Sequence, residues 1–128
     1  MQMVSHVVTE KSVDEAVASV EAAMAGRKFS VLWQLDTNKT LESKGLSLAH
    51  EVRILEVCSA PKAKQALETN PEIAYFLPCK IVVMKVEGKT TIGLARPTAL
   101  MSIMGDERFD TLAREVEAEL LEIIEAAK

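Results

Sequence analysis

The chain has 128 residues, 48% of them hydrophobic and 27% charged, which fits one domain able to bury a core without disulfides or a structural metal and excludes a disordered chain. Aromatic residues are only 4%, so the core must be built from Val, Leu, Ile, Ala and Met. The formal net charge is −4 and no basic run exceeds Arg27-Lys28, which argues against nucleic acid as a partner.

The chain opens with a β-prone run, His6-Val7-Val8-Thr9, followed by a helix start. Ser12 is a good N-cap and Glu15, three positions on, completes a capping box. Val13, Ala16, Val17, Val20, Ala23 and Met24 then lie on one helical face, and Gly26 suits a left-handed helix end. Phe29, Val31, Trp33 and Leu35 alternate with Ser30, Leu32 and Gln34, so the period of two predicts a half-buried strand with Trp33 on its inner face. Asp36 or Thr37 is placed to cap a short helix that ends near Gly45. Val52 to Val57 is β-prone, with Arg53 and Glu56 on opposite faces and their charged ends reaching past the sheet.

Pro61 suits the first turn of a helix, whose packing stripe is Ala63, Ala66 and Leu67 and which Asn70-Pro71 ends. Ile73 to Leu77 reads as a short helical or turn segment. Ile81 to Val86 and Thr90 to Ala95 read as an antiparallel pair around Glu87-Gly88-Lys89, where Gly88 supplies the positive φ of a tight turn. Pro97 opens a short helix with Leu100, Ile103 and Met104 as its apolar set, broken at Gly105. Asp106 caps the last helix, whose stripe runs through Phe109, Leu112, Ala113, Val116, Leu120, Ile123, Ile124 and Ala127, with Leu121 off it. The acids of this helix, Glu117 and Glu119 among them, read as capping or solvated groups. The order β-α-β-(α)-β-α-β-β-α-α predicts an α+β fold: a mixed, mainly antiparallel sheet with helices packed on one face. Apolar residues on both faces of the later strands predict that the second face is buried in a partner.

The longest apolar runs, such as Ile81-Val82-Val83-Met84, fall far short of the ~18 residues of a membrane span, so no membrane association is expected. The first residues lack the basic start and apolar stretch of a signal peptide. Together with two cysteines, this predicts a cytoplasmic protein with free thiols.

Few residues suggest chemistry. Cys58 and Cys79 stand at strand ends beside proline-marked turns, where a thiol's pKa can fall. Free cysteine is also among the most buried residue types, and this pair forms no Cys-x-x-Cys motif. The helix start at Pro61, with Lys62 and Lys64, would make an anion- or thiolate-stabilising corner. His6 lies in a terminal region expected to be flexible and His50 in a loop or strand entry; with the cysteines they show no zinc-ligand spacing, so no metal site is expected. No nucleophile elbow or phosphate-cradling glycine loop occurs.

Three segments carry a resemblance: Pro61-Lys62-Ala63-Lys64-Gln65-Ala66-Leu67-Glu68-Thr69-Asn70-Pro71, Leu77-Pro78-Cys79-Lys80-Ile81-Val82-Val83, and Glu87-Gly88-Lys89-Thr90-Thr91-Ile92 followed by Arg96-Pro97. They resemble the bacterial and archaeal domain-of-unknown-function 302 family, and the first helix, Gly26 and the strand from Phe29 to Leu35 look like that family's start. The likeness thus spans nearly the whole chain, residues 1–128 as one domain, and Leu77-Pro78-Cys79 is its most specific part. It implies a compact, dimeric α+β domain with no settled activity; which cofactor, if any, it takes is unknown from the sequence. Two departures matter. Where the family often reads Cys-Asn-Pro, this chain has Ser59-Ala60-Pro61, so Cys58 is displaced by one position, which on a strand means the opposite face. Arg96 stands where an acidic residue commonly precedes the proline, removing a helix-start carboxylate.

Two functional readings follow. The first is a homodimeric binding or interaction module, joined through its sheet or last helix. Its small-molecule pocket would lie near Pro61 and Pro78, with Lys62, Lys64 and Leu77 as binding residues. The second is a thiol-dependent redox or sulfur-handling protein using Cys79, together with Cys58.

Overall fold

The structure, a computed structural model, describes residues 2–128. Its elements in chain order are β1 (Val4–Thr9), α1 (Val13–Met24), β2 (Ser30–Asp36), α2 (Thr37–Glu42), β3 (Glu51–Cys58), α3 (Ala60–Thr69), β4 (Cys79–Val86), β5 (Lys89–Ala95), α4 (Pro97–Met104) and α5 (Asp110–Ala127). Short 3-10 turns cover Pro71–Phe76 and Glu107–Phe109. The five strands form one sheet in the order β1-β5-β4-β3-β2, and all four ladders are antiparallel. The α+β fold expected from the sequence is present, with the antiparallel pairing extending to every strand.

Local signals explain most of these elements. Ser12 accepts from the Glu15 N–H at 3.1 Å and Glu15 accepts from the Ser12 N–H at 3.2 Å, closing the capping box of α1. The bond from the Ser12 N–H favours the ionised carboxylate and holds the Glu15 pKa below its ordinary value. Asp36 caps α2 by accepting from the Lys39 N–H. Glu87 and Gly88 both have positive φ, 51° and 80°, the two-residue turn that joins β4 to β5 with Val86 opposite Lys89. Gly105 ends α4 in the left-handed region. Asp106 caps the short turn before α5 rather than α5 itself, accepting from the Arg108 N–H.

The inner sheet face packs against α1 and α5. Leu55, Val57, Ile81, Val83, Ile92 and Leu94 meet Val13, Ala16, Val20, Leu120, Ile123 and Ile124. Leu120, Ile123 and Ile124 of α5 are fully buried, worth about 1.5–3 kcal/mol apiece against exposure. The acidic residues that oppose the dipole of α5 are offset at its end, where the Lys11 ammonium donates to the Ala127 carbonyl at 2.8 Å. Arg53 reaches off the end of β3 to Asp14 at 2.6 Å and Asp36 at 3.2 Å.

The structure corrects the placement of five residues. Trp33 is on the outer face: the β2–β3 register shifts between Val31 and Trp33, and this β-bulge reverses the parity of the rest of the strand. Trp33 therefore lies opposite Glu56, 53% exposed, while Val31 stays against the core. His6 belongs to β1, opposite Gly93, rather than to a loose terminus. Ile103 and Leu67 are exposed, because α4 turns Pro97 and Ala99 inward and α3 turns Ala66 inward. Glu117 is buried at 8% exposure, not solvated.

The outer face carries Val4, Val8, Val52, Ile54, Val82 and Met84, with Trp33 and Leu35 toward one edge. Its charged pair is Glu56 and Lys80, cross-strand neighbours joined at 2.9 Å.

Candidate functional site

A second, smaller core of Ala66, Ile73 and Phe109, flanked by Phe76, Leu77 and Leu112, sits under α3 and α4. Between it and the main core lies an apolar cavity of about 70 Å3. It has room for a few waters at roughly 10–15 Å3 each in this measure. Small side chains leave the space open: Ala63 and Ala66 on α3 face Pro97 on α4 and Ala113 on α5. Phe29, Phe109, Leu112 and Val116 supply much of the remaining wall.

The polar groups of the wall are few and gathered where β3 passes into α3 and β4 begins. They are Cys58, Ser59, Lys62 and Cys79. Val57 and Cys79 are directly opposed in the β3–β4 ladder, which aims Cys79 to the inner face. Cys58 is the last residue of β3, where strand alternation ends, and it lines the same cavity. Both cysteines are free thiols. Burial pushes the Cys58 thiol up. Burial pushes Cys79 up to about 11, with the neighbouring Cys58 adding to the rise and Lys80 opposing it. Both sulfurs are therefore protonated near neutral pH, and protonated thiols are weak nucleophiles. The arrangement suits binding better than attack.

Of the other residues singled out from the sequence, Lys62 and Leu77 line the cavity. The Lys62 ammonium is held by Glu115 at 3.0 Å. Lys64 points away, paired with Glu68 at 2.8 Å, and Pro61 is exposed on the outside of α3. Pro78, half-buried, separates the lining residues Leu77 and Cys79. Among the described residues, no three His, Cys, Asp or Glu side chains gather as a metal ion would require.

Behind this site, Glu117 holds the start of α4. Its Oε1 accepts from the Thr98 N–H at 3.1 Å and from the Thr98 hydroxyl at 2.7 Å, while Oε2 takes the Arg96 guanidinium at 3.1 Å. Burial alone would raise this carboxyl, but the bonds from Thr98 and Arg96 outweigh it and the pKa is lowered. Sequence reasoning missed Glu117, although a signal was present. It stands four residues after Ala113 and three before Leu120, inside the apolar stripe.

An antiparallel sheet with one helix-covered face and a helix-walled cavity at its end defines an open-faced α+β domain. Comparison with known proteins narrows this. The family model described as Domain of unknown function DUF302 matches residues 4–127. A crystal structure of an uncharacterised DUF302 protein from Bacillus stearothermophilus is similar, with 31% identity, a TM-score of 0.96 and complete coverage of both chains. No curated protein matches. The chain belongs to the DUF302 family.

Proposed function

We propose that the protein is a homodimeric binding module that takes a small, apolar-bodied molecule into the cavity between α3, α4 and α5. The cavity carries this reading. Protein interiors are close-packed and hold few voids larger than a water, so an apolar space several times that size is a natural ligand site. The raised thiols of Cys58 and Cys79 favour binding over a thiol-dependent reaction. They also suit the reducing cytoplasm, which we take as the compartment.

The dimer reading draws on the outer sheet face. Five strands about 4.8 Å apart, each about 20 Å long, present some 500 Å2 in projection, near the lower bound per partner for a stable interface. This face is mainly apolar, its polar groups being the Glu56–Lys80 pair, His6 and Thr91. Two copies related by a two-fold axis would meet there without the repulsion their net charge of −4 would otherwise bring.

Hexanol titrated into isotope-labelled protein tests the cavity. Amide shifts at Ala63, Ala66, Leu112 and Val116, abolished by Ala63→Phe, are expected; an unchanged spectrum would end the reading. Sedimentation of the unmodified protein at micromolar concentration should give a dimer, and a monomer would remove that half of the proposal.

A further inference from the structure

We infer that the cavity's ligand is a short-chain carboxylate, its head group held at the start of α3 by the Ser59 hydroxyl and the Lys62 backbone N–H. The inference rests on the cavity being the binding site and adds the chemistry of the ligand's head.

Ser59 occupies the N-cap of α3, a ten-residue helix. A serine there ordinarily accepts from the N–H of the second or third helical residue, but Ser59 makes no such bond. The residue is only 6% exposed and lines the cavity, and among the described residues its hydroxyl has no hydrogen-bond partner. Thr37 Oγ1 is the one fully enclosed side-chain oxygen without a partner among the described residues, so the Ser59 hydroxyl keeps accessible surface and is open to a ligand atom in the cavity its residue lines.

The backbone beside it is equally unspent. The first bond back into the helix start is from the Ala63 N–H to the Ser59 carbonyl at 2.9 Å. Pro61 has no N–H to offer, and the Lys62 N–H at the third helical position lacks the serine acceptor it would normally have. The positive end of the helix dipole favours an anion at that point.

Every polar group at this end of the cavity donates: the Ser59 O–H, the Lys62 N–H and the protonated thiols of Cys58 and Cys79. No carboxylate belongs to the wall. Glu115 lies outside it, its charge taken up by the Lys62 ammonium. An acceptor with negative charge is the head group that such a set recognises. The rest of the cavity is apolar and of about 70 Å3. A cavity of roughly 150 Å3 accommodates the six carbons of benzene, so this one encloses about three carbons of the tail and any remainder extends through its open side.

Calorimetric titration with hexanoate and with hexanol tests the head group. The expected result is that hexanoate binds at least about fivefold more tightly, as hydrogen bonds to a charged acceptor are the stronger kind. Ser59→Ala should remove that advantage. Ser59→Asp, which keeps a good N-cap but places a negative charge at the head position, should abolish hexanoate binding and spare hexanol. Equal or tighter binding of hexanol overturns the carboxylate inference while leaving the cavity reading intact. Failure of both ligands to bind overturns the two together.

Discussion

Glu117 supplies from α5 the carboxylate that α4 lacks at its own start: one oxygen of Glu117 takes both the N–H and the hydroxyl of Thr98. With Arg96 ahead of Pro97, α4 has no side-chain cap from its own N-cap residue. The bond that replaces it crosses 19 residues of sequence and ties α4, which walls the cavity, to α5. Glu117→Gln keeps the shape and removes the charge, and should cost about 2 kcal/mol of unfolding free energy in denaturant titration. The pH dependence has a definite sign. Because the folded carboxyl is lowered below its unfolded value near 4.3, its contribution is complete above that value and is lost as pH falls through the folded one. Glu117→Gln should therefore flatten the acid limb of the stability profile.

Cys79 governs the alkaline limb. Its thiol is raised to about 11 in the folded protein against a value near 8.5 in the unfolded chain, so the unfolded state loses this proton first. Stability should be undiminished below about pH 8.5 and then fall by up to about 1.4 kcal/mol per pH unit until the folded thiol ionises. Cys79→Ala should reduce this decline and leave the smaller part that the raised Cys58 thiol contributes, as followed by urea unfolding across the range. In the native protein, iodoacetamide should leave Cys79 unmodified at pH 7.5 and label it after unfolding. Rapid native labelling would contradict the burial described above.

Ser12 caps α1 with a closed pair of bonds, and α1 covers one side of the core. Ser12→Ala should lower stability by about 1 kcal/mol. Glu15→Gln retains the hydrogen bond to the Ser12 N–H and should cost less, which separates hydrogen bonding from charge.

Trp33 is the sole tryptophan and lies on the outer sheet face, half-exposed in one copy. Dimerisation through that face should shift its emission to the blue as concentration rises. Met84→Lys, in the middle of the face, should hold the protein monomeric and its emission red at all concentrations without unfolding it. A blue, concentration-independent spectrum in the variant would show that the face is not the contact.

How much of this was legible in the sequence depended on the range of the interaction concerned. The capping box at Ser12, the Glu87-Gly88 turn and the α5 stripe are local patterns and read correctly, because each is decided within a few residues. Trp33 was misplaced because one extra residue in a ladder leaves the local alternation intact while reversing the faces beyond it. Glu117 was read as solvated because its partners, Arg96 and Thr98, come from a different helix start. The cavity was only partly visible. Lys62 and Leu77 flank the marked prolines, but its other walls come from as far apart as Phe29 and Val116 and meet only in the folded chain.

The irregularity in β2 also bears on how copies of this chain can stack. A sheet extends into a filament only if each molecule offers two competent edges, one to receive a strand and one to donate it. Here the edges are β1 and β2, and the register shift at Val31 to Trp33 breaks the regular row of backbone groups along the second. A molecule with one usable edge can join a single neighbour but cannot propagate a chain, so the bulge that turns Trp33 outward also guards against runaway polymerisation.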